Sequence, residues 1–327
     1  LYVTCLLTVK AIISRIRDLS GRFFPNMVKL LAVIITVCIA VFFGFFFKSD
    51  ADFYLYLISD PPANAFEDKV VWITGASSGI GATLAIDLAK YGARVIISAR
   101  RYEKLKEVAL NSTGKYDLDV FPYDVMDLNA QKDAFTFLIE KYGSIDYLIL
   151  NAGKSQRASS VEFPLESSRE IMELNFFSYI HLTKLVLPSM INKRSGQIVI
   201  MSSLAGKVGL PIQATYSASK FALQGYYDAL RGEVDQYNIQ VTMVCPGPVE
   251  SEIVDKAMRI EGDIKQDENN KMPVSRCTSL IIKGVYHHLK ELWISDQPFL
   301  TLAYLSLFAP TLVREISKRA GTARMKM

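Results

Sequence analysis

This chain is poorly equipped for metal-binding and disulfide chemistry. Its 327 residues include four cysteines, Cys5, Cys38, Cys245 and Cys277, and three histidines, His181, His287 and His288. The cysteines have no metal-ligand spacing. Cys38 falls in an apolar run and Cys245 in a strand-like one, so they read as small apolar fillers. His287 and His288 are adjacent in a helical pattern and diverge onto different faces, so no metal is expected. Self-similarity at a period of ~20–50 residues is missing, which excludes a repeat architecture. A basic body is missing too. The net charge is +4, but residues 1–48 carry six basic residues and one acidic, and residues 314–327 carry five and one. Residues 49–313 therefore hold 26 of the 37 basic and 31 of the 33 acidic residues, a net of −5. Without a basic stripe on the body, a nucleic-acid partner is excluded. Basic ends beside apolar segments suit a membrane surface instead.

What the chain has in excess is apolar residues, 50% of the total, and much of the surplus lies in one place. Leu30 to Phe47 is eighteen residues without a charge, bracketed by Lys29 and Lys48, with Thr36 its only clearly polar member. That length spans a bilayer core with little tilt. The run is apolar all round, unlike an amphipathic core helix. It exceeds the ~7–15 apolar residues of a signal peptide, and a poor cleavage site follows it. The expected organisation is a basic segment 1–29, a transmembrane anchor 30–47, a polar linker 48–65 broken by Pro61-Pro62, one folded domain 66–296, and an apolar then basic extension 297–327. Met27 is the first methionine, so 1–26 also reads as sequence upstream of a start there. Lys10, Arg15, Arg17, Arg22 and Lys29 against Asp18 favour a cytosolic N-terminus and a luminal domain; with Met27 as start the same lean is weak. The expectation is a single-pass protein of the endoplasmic reticulum membrane. Asn111-Ser-Thr is the one N-x-S/T sequon in the chain and reports on that orientation.

Apolar runs rich in valine and isoleucine mark strands at 70–74, 94–99, 118–123, 145–150, 196–202, 239–245 and 292–295. Helical patterns lie near 80–91, 102–110, 128–142, 165–193 and 214–237. This alternation describes an α/β domain with a parallel sheet covered on both faces. At its start, Lys69-Val-Val-Trp-Ile-Thr-Gly-Ala-Ser-Ser-Gly-Ile-Gly81 reads as a strand, a glycine turn and a helix start. Gly75 suits the tight turn, Gly79 a close approach to a pyrophosphate, and Gly81 close helix packing. Glycine turns between strand and helix are common, so the string alone decides little. Tyr216-Ser-Ala-Ser-Lys220 adds a tyrosine and a lysine on one helix face. That spacing also occurs at Tyr102…Lys106 and Tyr286…Lys290. Only Tyr216 has a serine, Ser203, thirteen residues upstream; Ala89 and Pro273 stand there for the others. Ser203 ends the strand-like run Gln197–Ser203, where a hydroxyl is presented at a sheet edge.

With these motifs in hand, the chain resembles the short-chain dehydrogenase/reductase family from about Asp68 to about Ser251. The motifs run in the family's order: Thr74–Gly81, Asn151–Gly153, Asn175, Ser203, Tyr216 with Lys220, and Pro246-Gly-Pro-Val249. Leu150 replaces the frequent first Asn of N-N-A-G, and Ser251 stands where a Thr is usual. Lys271–Cys277 and Leu289–Leu300 resemble the subgroup of member 7 and its relatives near the 11β-hydroxysteroid dehydrogenases. The resemblance implies a doubly wound, seven-stranded Rossmann-like sheet and a nicotinamide cofactor. It implies cofactor contacts from Thr74, Gly75, Ser77, Ser78, Gly79, Ile80, Gly81, Asp124, Val125, Asn151, Ala152, Gly153, Tyr216, Lys220, Pro246, Gly247, Val249 and Ser251. It implies catalysis by Asn175, Ser203, Tyr216 and Lys220, with Tyr216 as general acid or base, Ser203 donating to the carbonyl oxygen and Asn175 ordering a relay water.

The second strand ends in Ala99-Arg100-Arg101 with no acid at the place where an NAD enzyme holds the ribose 2′-hydroxyl. A guanidinium pairs with a 2′-phosphate, so NADP(H) is the expected cofactor through Arg100 and Arg101. Lys220 as an ammonium is expected to lower the Tyr216 pKa. Two readings stay open for Glu250–Pro273, a solvated loop or a substrate lid, and two for Phe299–Val313, core or dimer packing against a shallow membrane-surface helix. A lipophilic ketone or alcohol of the steroid or retinoid class is the expected substrate. The alternatives are a lipid-biosynthetic ketoreductase, acting on a keto-sphingoid or ketoacyl chain, or a non-catalytic binding member of the fold.

Overall fold

The computed structural model describes residues 31–37, 44, 48–255, 257–259 and 271–325. The chain divides into two units, 1–49 and 50–327. In the first, residues 31–37 are helical with exposed side chains, and Thr36 Oγ1 donates to the Ala32 carbonyl at 2.8 Å. Most of the expected anchor, its basic flank, Cys5 and Cys38 lie outside the described residues. Among the described residues no helix is long and apolar enough to cross a membrane.

The second unit is built on strands β1 (Val70–Thr74), β2 (Arg94–Ser98), β3 (Asp119–Val120), β4 (Tyr147–Leu150), β5 (Gln156–Arg157), β6 (Gly196–Met201), β7 (Ile239–Pro246), β8 (Met258–Arg259) and β9 (Glu291–Ile294). Seven form one parallel sheet in the order β3-β2-β1-β4-β6-β7-β9. The remaining two, β5 and β8, make a separate parallel ladder, Gln156 opposite Met258 and Arg157 opposite Arg259. The chain winds outward from β1 through β2 to β3, then returns to the other side of β1 with β4. The crevice between the ends of β1 and β4 is the topological switch point.

Parallel neighbours need crossover helices. These are α1 (Gly79–Lys90), α2 (Tyr102–Leu110), α3 (Leu128–Tyr142), α4 (Leu165–Met172), α5 (Ser178–Lys193), α6 (Ala214–Val234) and α7 (Val274–Tyr286), followed by α8 (Phe299–Phe308) and α9 (Pro310–Met325). Successive side chains of β1 enter opposite core layers. Val71 and Ile73 pack with Leu84, Leu88 and Ile281, while Val70 and Trp72 pack with Leu138, Tyr179 and Tyr227. Both faces of the sheet are therefore buried, which is why its strands read as unbroken apolar runs.

Four local differences from the sequence reading have physical causes. The expected strand 118–123 keeps only Asp119 and Val120 in its ladder, and Tyr123 then turns to donate its N–H to Ala99 O. The expected helix 165–193 is interrupted by a π-turn, Glu173–Phe177, at Asn175. The histidine pair lies beyond α7, in the turn to β9, where His288 takes φ +53° and bonds Gln197 Oε1 at 2.8 Å. Finally, the stretch read as a linker is packed structure from Asp50 onward. Ala51 pairs antiparallel with Ile294, and Asp52 N donates to Trp293 O at 2.8 Å. An edge strand left open is a template for wrong pairing, and this strap covers it. Helix α7 itself has no counterpart in the sequence reading. Within Phe299–Val313, Leu300, Ala303 and Val313 are buried, whereas Leu307, Phe308 and Leu312 are exposed.

Phe66 closes the strap. It is fully buried, with ring centroids of Tyr147, Tyr91 and Tyr286 at 5.3, 6.2 and 6.2 Å. Phe66→Ala is expected to cost ~3–5 kcal/mol of stability by removing that burial and leaving a cavity. A thermal or denaturant melt of the 50–327 unit checks this; a midpoint unchanged from wild type would mean that Phe66 does not anchor the strap.

Candidate active site

The switch point is knotted by short polar contacts. Thr74 Oγ1 accepts the N–H groups of Asn151 and Ala152 at 3.0 and 3.3 Å. Asn151 Nδ2 returns to the carbonyls of Thr74 and Gly75 at 3.1 and 3.0 Å. Gly75 adopts φ +66°, and a Cβ there would fall 2.6 Å from Ala152 Cα. Gly81 is equally constrained, since a Cβ would meet Asn151 Nδ2 at 2.5 Å. Glycine is thus required at both positions for backbone approach.

Above this knot opens a cleft of about 320 Å³. Gly75, Ser77, Ser78, Gly79 and Ile80 form one wall, Asn151, Ala152 and Gly153 the facing one, and Ser251 a third side. Helix α1 starts here, and its N-cap Ser78 makes no capping bond. Orphan N–H groups of a first helical turn are what an anionic phosphate uses. At the outer lip, Ala99 follows β2 and is itself followed by Arg100 and Arg101. Arg100 lies 3.7 Å from Asp124, whose carboxylate accepts the Met126 N–H at 3.0 Å. Arg101 reaches Ser77 Oγ and Ser78 Oγ, both at 2.9 Å, and Glu252 at 3.1 Å. Val125 completes this end. A glycine floor, an uncapped helix start and two guanidinium groups fit a dinucleotide.

The other end of the cleft abuts a buried polar cluster. Ser203 follows β6; its hydroxyl donates to Pro246 O at 3.3 Å and accepts from Ala205 N at 3.1 Å. Tyr216 and Lys220 lie on α6, both buried. The Lys220 ammonium donates to Met201 O at 2.8 Å and stands 5.7 Å from the Tyr216 ring centre. Asn175 is fully buried in the π-turn, a helix irregularity frequent at functional sites. Its Oδ1 accepts Lys154 N at 2.9 Å, and its Nδ2 donates to Lys154 O and to Ser219 Oγ at 2.9 and 3.0 Å. Asn175 thus ties the loop after β4 to the helix that carries Tyr216. A Cβ on Gly153 would lie 3.1 Å from Asn175 Oδ1 and 3.9 Å from Lys220 Nζ, which links cluster and cleft.

Burial dominates the electrostatics here. It pushes the Tyr216 phenol above its ordinary value, against hydrogen bonding from Ser203 and the positive charge of Arg157. It draws the Lys220 ammonium down to about 7. Tyr216 is thus raised where a lowered value was expected: desolvation leads, and the charge that opposes it is that of Arg157, not Lys220.

Not every residue singled out from sequence faces the cleft. Thr74 and Gly81 lie beneath it as packing and hydrogen-bonding elements. Gly247 N donates to Ile294 O, and Val249 bridges to Met272, so these two anchor the end of β7, while Pro246 meets Ser203. Several participants escaped the sequence reading. Lys154 clamps Asn175 and pairs with Glu170 at 2.7 Å, Tyr179 donates to Ala152 O at 2.8 Å, and Glu252 holds Arg101. Their partners lie 16 to 151 residues away in sequence, where no motif could announce them. Of the stretch 250–273, residues 256 and 260–270 lie outside the described residues. Among the described residues no group of histidine, cysteine or acidic side chains could hold a metal.

Comparison with known proteins agrees with this architecture. The family model for short chain dehydrogenases matches residues 69–261. Dehydrogenase/reductase SDR family member 7 of Homo sapiens is 38% identical over 271 residues, covering 79% of this chain and 79% of that one. A member 7-like protein of Dictyostelium discoideum is 32% identical over 312 residues, covering 93% and 96%. Among solved structures, a short-chain dehydrogenase from Streptomyces avermitilis superposes with a TM-score of 0.65 at 25% identity, over 78% of this chain and 98% of that one. An alcohol dehydrogenase of the archaeon Thermococcus sibiricus, complexed with 5-hydroxy-NADP, superposes with a TM-score of 0.63 at 20% identity, over 71% and 97%. With its sheet, its glycine cradle and these relatives, the chain belongs to the short-chain dehydrogenase/reductase family, oxidoreductases that bind a nicotinamide cofactor and act on alcohol and carbonyl groups.

Proposed function

We propose that the chain is a membrane-anchored, NADP(H)-dependent enzyme that interconverts a lipophilic carbonyl compound and its alcohol, of steroid or retinoid class. One observation carries the reading. Ser203, Tyr216 and Lys220 are gathered at the strand ends beside a cleft whose outer lip holds two arginines and no acid at the end of β2. NADP(H), when bound, supplies or accepts the hydride. Arg100 and Arg101 would hold its 2′-phosphate, with Ser77 beside them, and Asp124 and Val125 its adenine end. Ser203 Oγ can turn its hydrogen bond from Pro246 O to a substrate oxygen as negative charge develops there. Tyr216 keeps its proton through neutral pH and delivers it to that oxygen, or takes it in the alcohol direction. Lys220 gains its charge as pH falls through about 7 and then favours the phenolate.

The lipophilic class rests on the family resemblance and on apolar surface beside the domain. Phe308 is 85% exposed, with Leu307 and Leu312 next to it and Arg314 and Lys318 following, a composition suited to a bilayer interface. Together with the uncharged run 30–47, this favours a membrane protein of the endoplasmic reticulum with its catalytic unit in the lumen.

Tyr216→Phe removes one hydroxyl and little packing, so NADPH binding is expected to persist while ketone turnover falls by ~10²–10⁴. The raised phenol pKa gives a sign to the pH dependence: reduction, which needs the proton, should hold across neutral pH, and alcohol oxidation, which needs the phenolate, should climb with pH. Turnover by the variant within ~10-fold of wild type would mean that another group is the acid.

Arg100→Asp should lower kcat/KM with NADPH by ~10–100-fold, the worth of a charge-assisted hydrogen bond, and change NADH far less. A wild-type enzyme that already prefers NADH would contradict the cofactor assignment.

The full chain should remain in the membrane pellet after carbonate washing, and a glycosidase-sensitive mobility shift in microsomes should vanish in Asn111→Gln. Release by carbonate contradicts the anchor. Digestion of the catalytic unit by protease added to sealed microsomes contradicts the luminal orientation.

A further inference from the structure

Helix α6 carries both Tyr216 and Lys220, yet its own N-cap, Gln213, makes no capping bond to it. The Gln213 side chain turns away and donates to Ser155 Oγ at 3.2 Å. The orphan N–H groups of the first turn are met from outside the helix. Gln156 Oε1 accepts the N–H of Thr215 at 2.8 Å and the N–H of Tyr216 at 3.3 Å. Gln156 is fully buried, and its Nε2 donates to Ala158 O at 3.3 Å. Its backbone is fixed in turn. It pairs with Met258 in the β5–β8 ladder, Met258 N donates to Ser155 O at 2.9 Å, and Ala158 N donates to Ile212 O at 3.1 Å. Gln156 therefore grips the backbone of the very residue whose side chain holds the proton, and does so from the loop that leaves the cleft wall at Asn151–Lys154.

Resting on the reading of Tyr216 as the proton-carrying group, we infer that Gln156 is a positioning residue for catalysis, setting where the Tyr216 hydroxyl stands relative to Ser203 and the cleft. A buried helix start without a partner costs stability wherever it occurs. Here the same bond also fixes the reacting atom, and a displacement of about 1 Å at such an atom costs about 100-fold in rate. The contact is not a side-chain contact to substrate, so its loss should appear in kcat and leave cofactor binding alone. The charged and titratable groups facing Tyr216 are Lys220 on α6, Arg157 on β5, Cys245 on β7 and Tyr179 on α5. None of them changes in the test below.

The test compares Gln156→Met, which keeps length and loses both the acceptor and the Nε2 donor to Ala158 O, with Gln156→Glu, which keeps the acceptor, loses that donor and adds a carboxyl group. Each is assayed for ketone reduction, NADPH binding, thermal midpoint and the pH profile of kcat, with Tyr216→Phe alongside. In Gln156→Met, kcat should fall ~10-fold or more with NADPH affinity within ~2-fold of wild type. In Gln156→Glu, kcat should recover to within ~3-fold of wild type, and the alkaline limb of reduction should move to higher pH, because a carboxylate beside Tyr216 favours the neutral phenol. The inference is overturned if Gln156→Met keeps its kcat, or loses it only in proportion to the folded fraction. If Gln156→Met does not fold, Gln156→Glu decides alone: a folded variant whose kcat falls ~10-fold or more despite the retained acceptor overturns the inference. Retained turnover in Tyr216→Phe is a different failure, because it removes the reading of the site and not merely its support.

Discussion

Everything at this site depends on how closely the ends of β1 and β4 approach each other. Gly75 can turn away from β1 only because it lacks a Cβ, which would lie 2.6 Å from Ala152 Cα. The turn is then locked by a two-way exchange, with Thr74 Oγ1 accepting from the Asn151–Ala152 backbone and Asn151 returning its amide to Thr74 and Gly75. This lock aims the start of α1 at the cleft. It also fixes the chain that leaves Asn151 for Gly153 and Lys154, which Asn175 ties to the helix of Tyr216. A side chain at Gly75 or Gly81 would part the two strand ends and separate binding from chemistry together.

The second constraint is polar burial. Ser155, Gln156, Asn175, Gln213, Ser219 and Lys220 are all buried around the first turns of α6. Such groups are costly unless each is bonded, and here they bond one another across loops from four parts of the chain. The result is a seat in which burial raises the Tyr216 phenol and draws the Lys220 ammonium down to about 7. On the proposed reading of Tyr216 as the acid, burial keeps its phenol protonated for reduction at neutral pH.

Local features of the sequence carried much of this. Val70–Thr74, the three glycines, Ser203 thirteen residues before Tyr216, and the Ala99-Arg100-Arg101 end of β2 are each readable because strand period, turn chemistry and helix spacing are short-range. The parts that escaped are long-range. The stretch 48–65 is polar and holds a Pro-Pro step, so it reads as a linker, yet Ala51 and Leu55 are buried in the core. The π-turn at Asn175 is invisible in an apolar pattern that runs straight through it. Gln156 looks like any loop glutamine until the fold brings it to Thr215 and Tyr216, 59 and 60 residues on. The crossover between β7 and β9 could have been inferred, since parallel strands require one, and α7 supplies it.

The role proposed for this cradle and Tyr216 is NADP(H)-dependent carbonyl chemistry on lipophilic molecules. Its most direct test is cofactor consumption by the purified, detergent-solubilised full chain against a panel of steroid ketones, retinal and long-chain ketones, with NADPH and NADH in parallel. NADPH should be oxidised with at least one steroid or retinoid carbonyl, and NADH far more slowly. No turnover across the panel, or turnover confined to keto-sphingoid or ketoacyl substrates or to NADH, would contradict it.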